Sequence, residues 1–277
     1  MSRGTLAEVD RALLAAASAD ARAAADDAEV VVEVASSTEA LETLQGLQEQ
    51  IWGPAVVVPR NVLRAIAMAG ETLLLAREGN VALGFALGIV GTAQGLHLHS
   101  HQVGVAALGR GRGIGTALKY AQRVRALEAG VTEMRWTYDP LLASNAVFNL
   151  TKLRARVLTF LPNCYGARTD AFNTGEVTDR LKVSWDLCGP PTTAMPSGVG
   201  PALVERREGL PVRSTSLIVP GARLEIPADY LALREQAREE ADAWRRVVGA
   251  TLAEVEAAGA TLAGFDGRSY VVAEEGS

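Results

Sequence analysis

Arg110-Gly111-Arg112-Gly113-Ile114-Gly115-Thr116 is the stretch of this sequence that decides the fold. It follows an alternating, strand-like run over residues 96–105 and precedes an amphipathic, helix-like run over residues 116–129. A glycine-rich turn between a strand and a helix leaves several backbone N–H groups without partners, and the positive end of the helix dipole adds to their field. The stretch therefore predicts a site for a phosphate or pyrophosphate group, with a purely structural turn as the alternative.

The residue types of this turn suit a phosphate ligand. Gly113 and Gly115 have no Cβ atoms, so a ligand can approach the main chain closely. Arg110 and Arg112 would supply charge and paired N–H donors to phosphate oxygens. The glycine spacing differs from the dinucleotide fingerprint, and the absence of a following Gly-Lys-Ser/Thr excludes a Walker loop.

The spacing Arg-x-x-Gly-x-Gly resembles the acyl-CoA pyrophosphate loop of the GNAT N-acetyltransferases, in which Gln or Arg opens the motif. The flanking elements follow the order of that family, because a strand over residues 133–138 and a helix beginning near Asn145 come after the loop and its helix. The match extends over about residues 30–190. The resemblance implies a GNAT fold, an α/β (α+β) arrangement in which a central mixed and mostly antiparallel sheet is flanked by helices.

The resemblance also implies which residues hold the cofactor, acetyl-CoA or another acyl-CoA. Backbone groups of Val103 and Val105 take the places that contact the pantetheine arm and the thioester oxygen. The positions implied around the pyrophosphate are Arg110, Gly111, Arg112, Gly113, Gly115 and Thr116. Asn145, Asn149 and Lys152 on the next helix complete the implied binding set. The family often has a tyrosine where Asn149 stands, so the predicted proton donor to the leaving thiolate is Tyr165, with Tyr138 and an unaided departure of the thiolate as the alternatives.

The protein has three histidines, and all of them lie at alternate positions of the strand before the loop: His97, His99 and His101. Strand alternation predicts that they share one face with Val103 and Val105. An acceptor amine must be neutral before it attacks, and histidine titrates near neutral pH. His101 is therefore the predicted general base, with His99 second. A metal site is the alternative, but no nearby Cys or carboxylate completes a ligand set, and no metal is predicted.

Composition excludes several classes of function. Apolar residues make up 48% of the 277 residues, which is enough for a sizeable core, but glycine or charge interrupts each apolar run before it could span a bilayer. The net charge of −5, without a basic face, argues against nucleic acid as a partner. The two cysteines, Cys164 and Cys188, lack metal or redox spacing. We expect a cytoplasmic protein without a signal peptide, membrane partner or nucleic-acid partner, either monomeric or a homodimer.

Four segments are predicted along the chain. Residues 1–28 indicate an amphipathic N-terminal helix, and residues 29–189 hold the predicted acyltransferase domain. Proline and glycine in residues 190–201 indicate a linker. Residues 202–277 predict a C-terminal α+β extension with a long helix, whose apolar stripe we expect to pack on the acyltransferase core, and a closing hairpin. Its element order resembles the end of a GNAT domain, so a partial GNAT-like repeat is the alternative.

Further motifs resemble one bacterial subgroup of GNAT proteins, predicted acetyltransferases linked to N-acyl amino acid metabolism. They are Asp139-Pro140-Leu141-Leu142, the helix from Asn145, residues 161–166 and residues 178–181. The resemblance implies an enzyme that transfers an acetyl group, or a larger one such as succinyl, from CoA to the amine of a small molecule such as an amino acid. Arg154, Arg156 and Arg180 are candidates to pair with a carboxylate of acceptor or donor.

This sequence supports two hypotheses about function. We expect an enzyme in which the amine attacks directly in a ternary complex, because no Cys or Ser stands where a covalent acyl carrier is needed. The alternative is a non-catalytic acyl-CoA-binding module with a sensing or assembly role. Asn149 in place of a tyrosine and the extra C-terminal segment favour that alternative.

Overall fold

The structure, a computed structural model, describes residues 9–166, 177–189 and 198–273. These residues form two compact units. The described part of unit 1 comprises residues 9–136 and 186–188, and that of unit 2 comprises residues 137–166, 177–185, 189 and 198–273. Of the predicted linker, residues 190–197 lie outside the described residues and residues 198–201 are described.

Unit 1 alternates helices and strands in the order that the sequence predicts. Its helices are α1 (Arg11–Asp27), α2 (Thr38–Trp52), α3 (Arg60–Ala69) and α4 (Ile114–Glu128). Its strands are β1 (Val31–Val34), β2 (Leu73–Glu78), β3 (Val81–Gly91), β4 (His97–Val105) and β5 (Glu133–Tyr138), the last two residues of which belong to unit 2.

The sheet of unit 1 has the strand order β1-β2-β3-β4-β5. The first four strands pair antiparallel, and β5 runs parallel to β4, with Leu98 opposite Met134 and His99 opposite Arg135. A parallel neighbour requires a crossover, and the loop with α4 supplies it. The prediction of a mixed, mostly antiparallel sheet flanked by helices is confirmed.

Both faces of this sheet are covered, which explains why β2 reads as a continuous apolar run. Leu73 and Leu75 pack with Leu41 and Leu44 of α2 on one face. Leu74 and Ala76, together with Ala86 of β3, pack with Ile114 and Leu118 of α4 on the other face, where α1 also lies. We call these the α2 face and the α4 face.

Unit 2 contains the end of the predicted acyltransferase domain and the C-terminal extension. Its helices are α5 (Ala143–Ala146), which continues as a π-helical segment (Val147–Lys152), α6 (Tyr230–Gln236) and α7 (Arg238–Ala257). Its strands are β6 (Arg156–Leu161), β7 (Arg180–Asp186), β8 (Ala202–Arg207), β9 (Leu210–Arg213), β10 (Arg223–Glu225), β11 (Leu262–Phe265) and β12 (Ser269–Val272), with Asp186 assigned to unit 1.

The extension forms its own five-stranded sheet in the order β11-β12-β10-β8-β9. Strands β8 and β10 are parallel and the other pairs are antiparallel. The predicted hairpin is present as β11 and β12, joined across Asp266-Gly267. The predicted long helix is interrupted at Ala237, whose φ of −145° and ψ of 73° end α6 before α7 begins.

The helix α7 attaches this extension to the earlier part of unit 2. The two carboxylate oxygens of Glu256 bind the Thr159 hydroxyl and the Phe160 amide, the latter at 3.1 Å. Gly249 lies in the middle of α7 because a Cβ atom there would come within 2.7 Å of the Asp179 carboxylate. The extension therefore packs, as expected, on residues of the predicted acyltransferase domain.

Among the described residues, no helix combines the length and the apolar composition that crossing a membrane requires.

Candidate functional site

The glycine-rich loop joins β4 to the N-terminus of α4. Gly111 and Gly113 have φ angles of 80° and 90°, a left-handed conformation that a Cβ atom disfavours, so this turn requires glycine at both positions. Gly113 is the N-cap of α4 and provides no side-chain cap. The amides of Gly111, Gly113, Ile114 and Gly115 make no hydrogen bond within the described chain. Backbone amides left without partners at and just before a helix N-terminus are suited to bind an anion.

The two arginines of the loop differ in their surroundings. Arg110 is exposed, and its guanidinium makes no ion pair with a described residue. Arg112 donates to the Glu78 carboxylate at 2.9 Å and to the Ala28 carbonyl at 3.2 Å, and it lies 3.7 Å from the Glu29 carboxylate. The hydrogen bond to Glu78 raises the pKa of Arg112 and lowers that of Glu78. Arg110 is therefore the arginine whose charge is available to a ligand.

Thr116 is less open than the loop glycines. Its amide donates to the Gly113 carbonyl at 2.9 Å, as part of the first turn of α4. Its hydroxyl is the group left for a phosphate oxygen.

A β-bulge in β4 corrects the predicted arrangement of the histidines. Gly88 of β3 lies opposite Ser100 and Leu87 lies opposite Gln102, so His101 is an extra residue between two paired positions. The bulge shifts the alternation by one residue. The prediction that all three histidines share a face with Val103 and Val105 is therefore wrong.

The corrected faces follow from the residues opposite. Val103 lies opposite Ala86, and both Val103 and Val105 pack on the α4 face. His97 and His99 lie opposite Gly91 and Ile89. These two residues are at every second position from Leu87 along β3, so they share the α2 face with it. His99 is half-buried, whereas His101 is exposed at the bulge, with its ring centroid 5.9 Å from that of His99.

On the α4 face, β4 carries a buried polar network. The Lys119 ammonium lies 2.8 Å from the Ser100 hydroxyl and 3.6 Å from the centroid of the Trp136 ring, and Ser100 donates to Gln122. Burial lowers the pKa of Lys119 well below its ordinary value. Motif reasoning missed this network because a lysine in a helix usually faces solvent.

The β4–β5 ladder within unit 1 consists of two pairs, Leu98–Met134 and His99–Arg135. Beyond them, the residues of β4 from Ser100 to Val105 are paired in unit 1 with β3 alone. On the side of β4 that faces away from β3, the main-chain groups of residues 100–105 are thus not part of the β4–β5 ladder within unit 1. This is the part of the strand to which the resemblance assigns the pantetheine and thioester contacts.

The remaining predicted site residues belong to unit 2. Asn145 is the third residue of α5, with its amide bonded to the Leu142 carbonyl at 2.9 Å. Asn149 is buried in the π-helical segment, and Lys152 at its end is exposed. The Tyr165 hydroxyl lies 2.9 Å from the Thr137 hydroxyl. The structure therefore divides the predicted residues between the units, with the loop and the histidines in unit 1.

Unit 2 also contains a buried charge cluster that the sequence motifs did not identify as one. Arg245 of α7 holds the Asp139 carboxylate with two hydrogen bonds of 2.8 and 2.7 Å, and Arg180 lies 3.8 Å from it. Burial lowers the pKa of Arg245, but the hydrogen bond and charge of Asp139 outweigh burial and raise it. Arg180, a candidate carboxylate ligand from the sequence, is thus engaged in this cluster.

Within the described residues, no group of three or more His, Cys, Asp or Glu side chains is placed to hold a metal ion.

Comparisons with known proteins were made for the whole chain. No family model matches it, and no curated protein matches it. Among solved structures, Arabidopsis thaliana Naa50 in complex with a bisubstrate analogue is 18% identical, with 56% of this chain and 97% of that chain covered and a TM-score of 0.47.

Two bacterial structures match to a similar extent. The ribosomal-protein-S18-alanine N-acetyltransferase from Escherichia coli is 14% identical, with 60% of this chain and 99% of that chain covered and a TM-score of 0.46. The IAA acetyltransferase from Bacillus cereus is 15% identical, with 57% and 99% covered and a TM-score of 0.42.

Proposed function

We propose that this protein is an acyl-CoA-dependent N-acyltransferase that transfers an acetyl or larger acyl group to the amine of a small molecule. The observation that carries the proposal is the set of four amides without a hydrogen bond in the loop that ends at the N-terminus of α4. Together with the Arg-x-x-Gly-x-Gly spacing, it supports a pyrophosphate site of the acyl-CoA type. In this proposal, the loop amides and Arg110 bind the pyrophosphate.

Val103 and Val105 extend the proposed site along β4. Because this part of β4 is paired in unit 1 with β3 alone, its other edge can offer main-chain groups to the pantetheine arm. An N–H group from this edge would also stabilise the oxyanion that forms when the thioester carbonyl is attacked. Such a donor contributes about 3 kcal/mol in enzymes where it has been removed.

The proposed reaction is a direct transfer. The neutral amine attacks the thioester carbon, a C–N bond forms, and the amine proton passes to the base, for which we propose His101 at the bulge or His99 beside it. The tetrahedral intermediate then breaks its C–S bond and releases CoA as a thiolate. Tyr165, exposed and hydrogen-bonded to Thr137, is the proposed proton donor, with solvent as the alternative.

The proposal is tested by release of free CoA thiol from acetyl-CoA and succinyl-CoA over a panel of small amines, chiefly amino acids. We expect amine-dependent thiol release with at least one donor. The acylated product, identified by mass spectrometry, reports both the acceptor and the acyl group. Thiol release that is independent of every amine would count against an acyltransferase.

A non-catalytic acyl-CoA-binding module is the second candidate function. It is favoured by Asn149, an amide that is a poor proton donor and is buried within the π-helical segment. A protein that binds CoA by calorimetry but releases no thiol with any amine or donor would support this candidate.

A further inference from the structure

Arg112 holds the glycine-rich loop to two other elements of unit 1. It lies between the left-handed glycines Gly111 and Gly113, and its side chain extends away from the loop amides. One contact reaches Glu78, the last residue of β2, and another reaches the Ala28 carbonyl at the end of α1. An arginine with its charge and donors directed to these two partners is held in place rather than presented to a ligand.

The packing around Gly113 shows what this side chain fixes. A Cβ atom built on Gly113 would lie 3.8 Å from the Cβ atom of Ala28, so the N-cap of α4 lies beside the end of α1. Both glycines allow the loop many backbone conformations, and that freedom must be removed before the amides can converge on an anion. The two contacts of Arg112 restrict the loop at its centre.

The charges around Arg112 also affect how well the loop can bind an anion. Glu78 and Glu29 bring two carboxylates close to a loop that would bind a doubly charged pyrophosphate. The single positive charge of Arg112 offsets one of these two negative charges and lies close to both carboxylates. Without Arg112, both carboxylates would repel an anion at the loop.

We propose that Arg112 is a positioning residue, which orders the phosphate loop through Glu78 and Ala28, and that Arg110 is the arginine that contacts phosphate. This inference rests on the proposed function, because it takes the loop as the acyl-CoA pyrophosphate site. It also makes the end of α1, which precedes the predicted acyltransferase domain, part of what shapes the site.

A double-mutant cycle tests the proposal. CoA binding is measured by calorimetry for the wild type, Arg112→Ala, Glu78→Gln and the double variant, with pantetheine, which lacks the pyrophosphate, as the control ligand. We expect Arg112→Ala to weaken CoA binding about fivefold and to leave pantetheine binding unchanged. Because Arg112 acts through Glu78, the same substitution should weaken CoA binding by only about twofold in the Glu78→Gln background.

The possible results separate the hypotheses. An equal loss in both backgrounds would show that Arg112 contacts phosphate directly and would overturn the proposal. A parallel loss of CoA and pantetheine binding would indicate general damage to the fold and would overturn it as well. A wild type that binds CoA no more tightly than pantetheine would instead refute the pyrophosphate site, and the proposed function with it.

Discussion

At the scale of single residues, the bulge in β4 changes what His101 can do. In a regular strand, His101 would pair with a residue of β3 and lie on the same face as His99. The bulge instead removes His101 from the β3 ladder and leaves it exposed, with the centroid of the His99 ring 5.9 Å from its own. Bulges are often found where a strand redirects a side chain at a site. This placement suits a base that must meet an incoming amine.

His101→Ala should therefore lower kcat/KM by about 100-fold or more, the usual contribution of a general base. In the wild type, kcat/KM should rise with pH over the range in which histidine loses its proton, since only the neutral ring accepts the amine proton. The pH profile of thiol release, measured for both proteins, checks this. His97→Ala is the matched control, because His97 is buried at the start of β4 with its Nδ1 2.9 Å from the Gly95 carbonyl. A wild-type rate and pH profile in His101→Ala would transfer the role to His99.

Lys119 leads to a prediction about stability. Burial lowers its pKa in the folded protein, so the unfolded chain keeps its proton up to a higher pH than the folded chain does. Below the ordinary lysine pKa this difference favours unfolding, and the penalty disappears as the pH rises toward about 10.4. Ser100 would still donate its hydrogen bond to Gln122 if the lysine were replaced.

Lys119→Met should thus raise the melting temperature at pH 7 by roughly 2–4 °C, the shift that about 1 kcal/mol produces in a chain of this size. The advantage should shrink as the pH approaches 10. Thermal unfolding across about pH 6–10 measures this, because the upper end of that range approaches the ordinary lysine pKa of about 10.4. Lys152→Met is the exposed control. A less stable variant at pH 7 would show that Lys119 stays charged and is stabilised by the Trp136 ring.

At the scale of elements, the glycine-rich loop depends on two different properties of glycine. Gly111 and Gly113 are needed for their positive φ angles, whereas Gly115 lies in the first turn of α4 and is predicted to leave room for the ligand. Substitutions at Gly113, such as Gly113→Asp, would change backbone strain and ligand access together. Gly115 separates the two effects.

Gly115→Glu should reduce CoA affinity at least about tenfold, because a carboxylate at the helix N-terminus occupies or repels the anion site. The fold should persist, since a negative charge at that position favours the helix. Calorimetry with CoA and a thermal melt test both statements, and Gly115→Ala separates the effect of the charge from that of a Cβ atom. Unchanged CoA affinity in a folded Gly115→Glu protein would refute the loop assignment.

Local sequence signals predicted these elements well. The β2–β3 hairpin, the order from β4 through the loop and α4 to β5, and the hairpin at Asp266-Gly267 each depend on residues close together in the chain. The bulge at His101 could not be predicted, because it depends on the pairing of β4 with β3 rather than on β4 alone. The hydrogen bond between Arg112 and Glu78 could not be predicted either, because the two residues are 34 positions apart in the sequence.

At the scale of the whole molecule, the buried pair of Arg245 and Asp139 connects residues 106 positions apart. Arg245→Ala should cost about 3 kcal/mol or more of the free energy of unfolding, because it removes the two hydrogen bonds from Arg245 to the buried Asp139 carboxylate and leaves only the one from the Leu141 amide. Arg238→Ala, which removes an exposed i,i+4 pair with Asp242, should cost less than about 0.5 kcal/mol. Denaturant unfolding of both variants provides the comparison, and equal losses would show that the buried pair contributes little.

The C-terminal extension leads to a prediction about removal of a large part of the chain. Trp244, Val248, Leu252 and Val255 form the buried stripe of α7, and Tyr270 of β12 donates to the Pro140 carbonyl at 2.8 Å. Removal of the chain after Gly189 would expose the residues of unit 2 that these groups cover, whereas the loop and both core clusters of unit 1 would remain.

We therefore expect the protein truncated after Gly189 to bind CoA weakly through the loop and to lose turnover of the acceptor. The reason is that Asp139 and the chain that leads into α5, which carries the proposed ligand Asn145, would lose Arg245 and Tyr270. Calorimetry with CoA and thiol release with the preferred amine measure the two activities separately. Full-length Tyr270→Phe, which removes a single hydrogen bond, controls for the deletion of a large segment. If the truncated protein is soluble and acylates the same amine with an unchanged KM, the extension is an independent appendage and has no part in acceptor turnover.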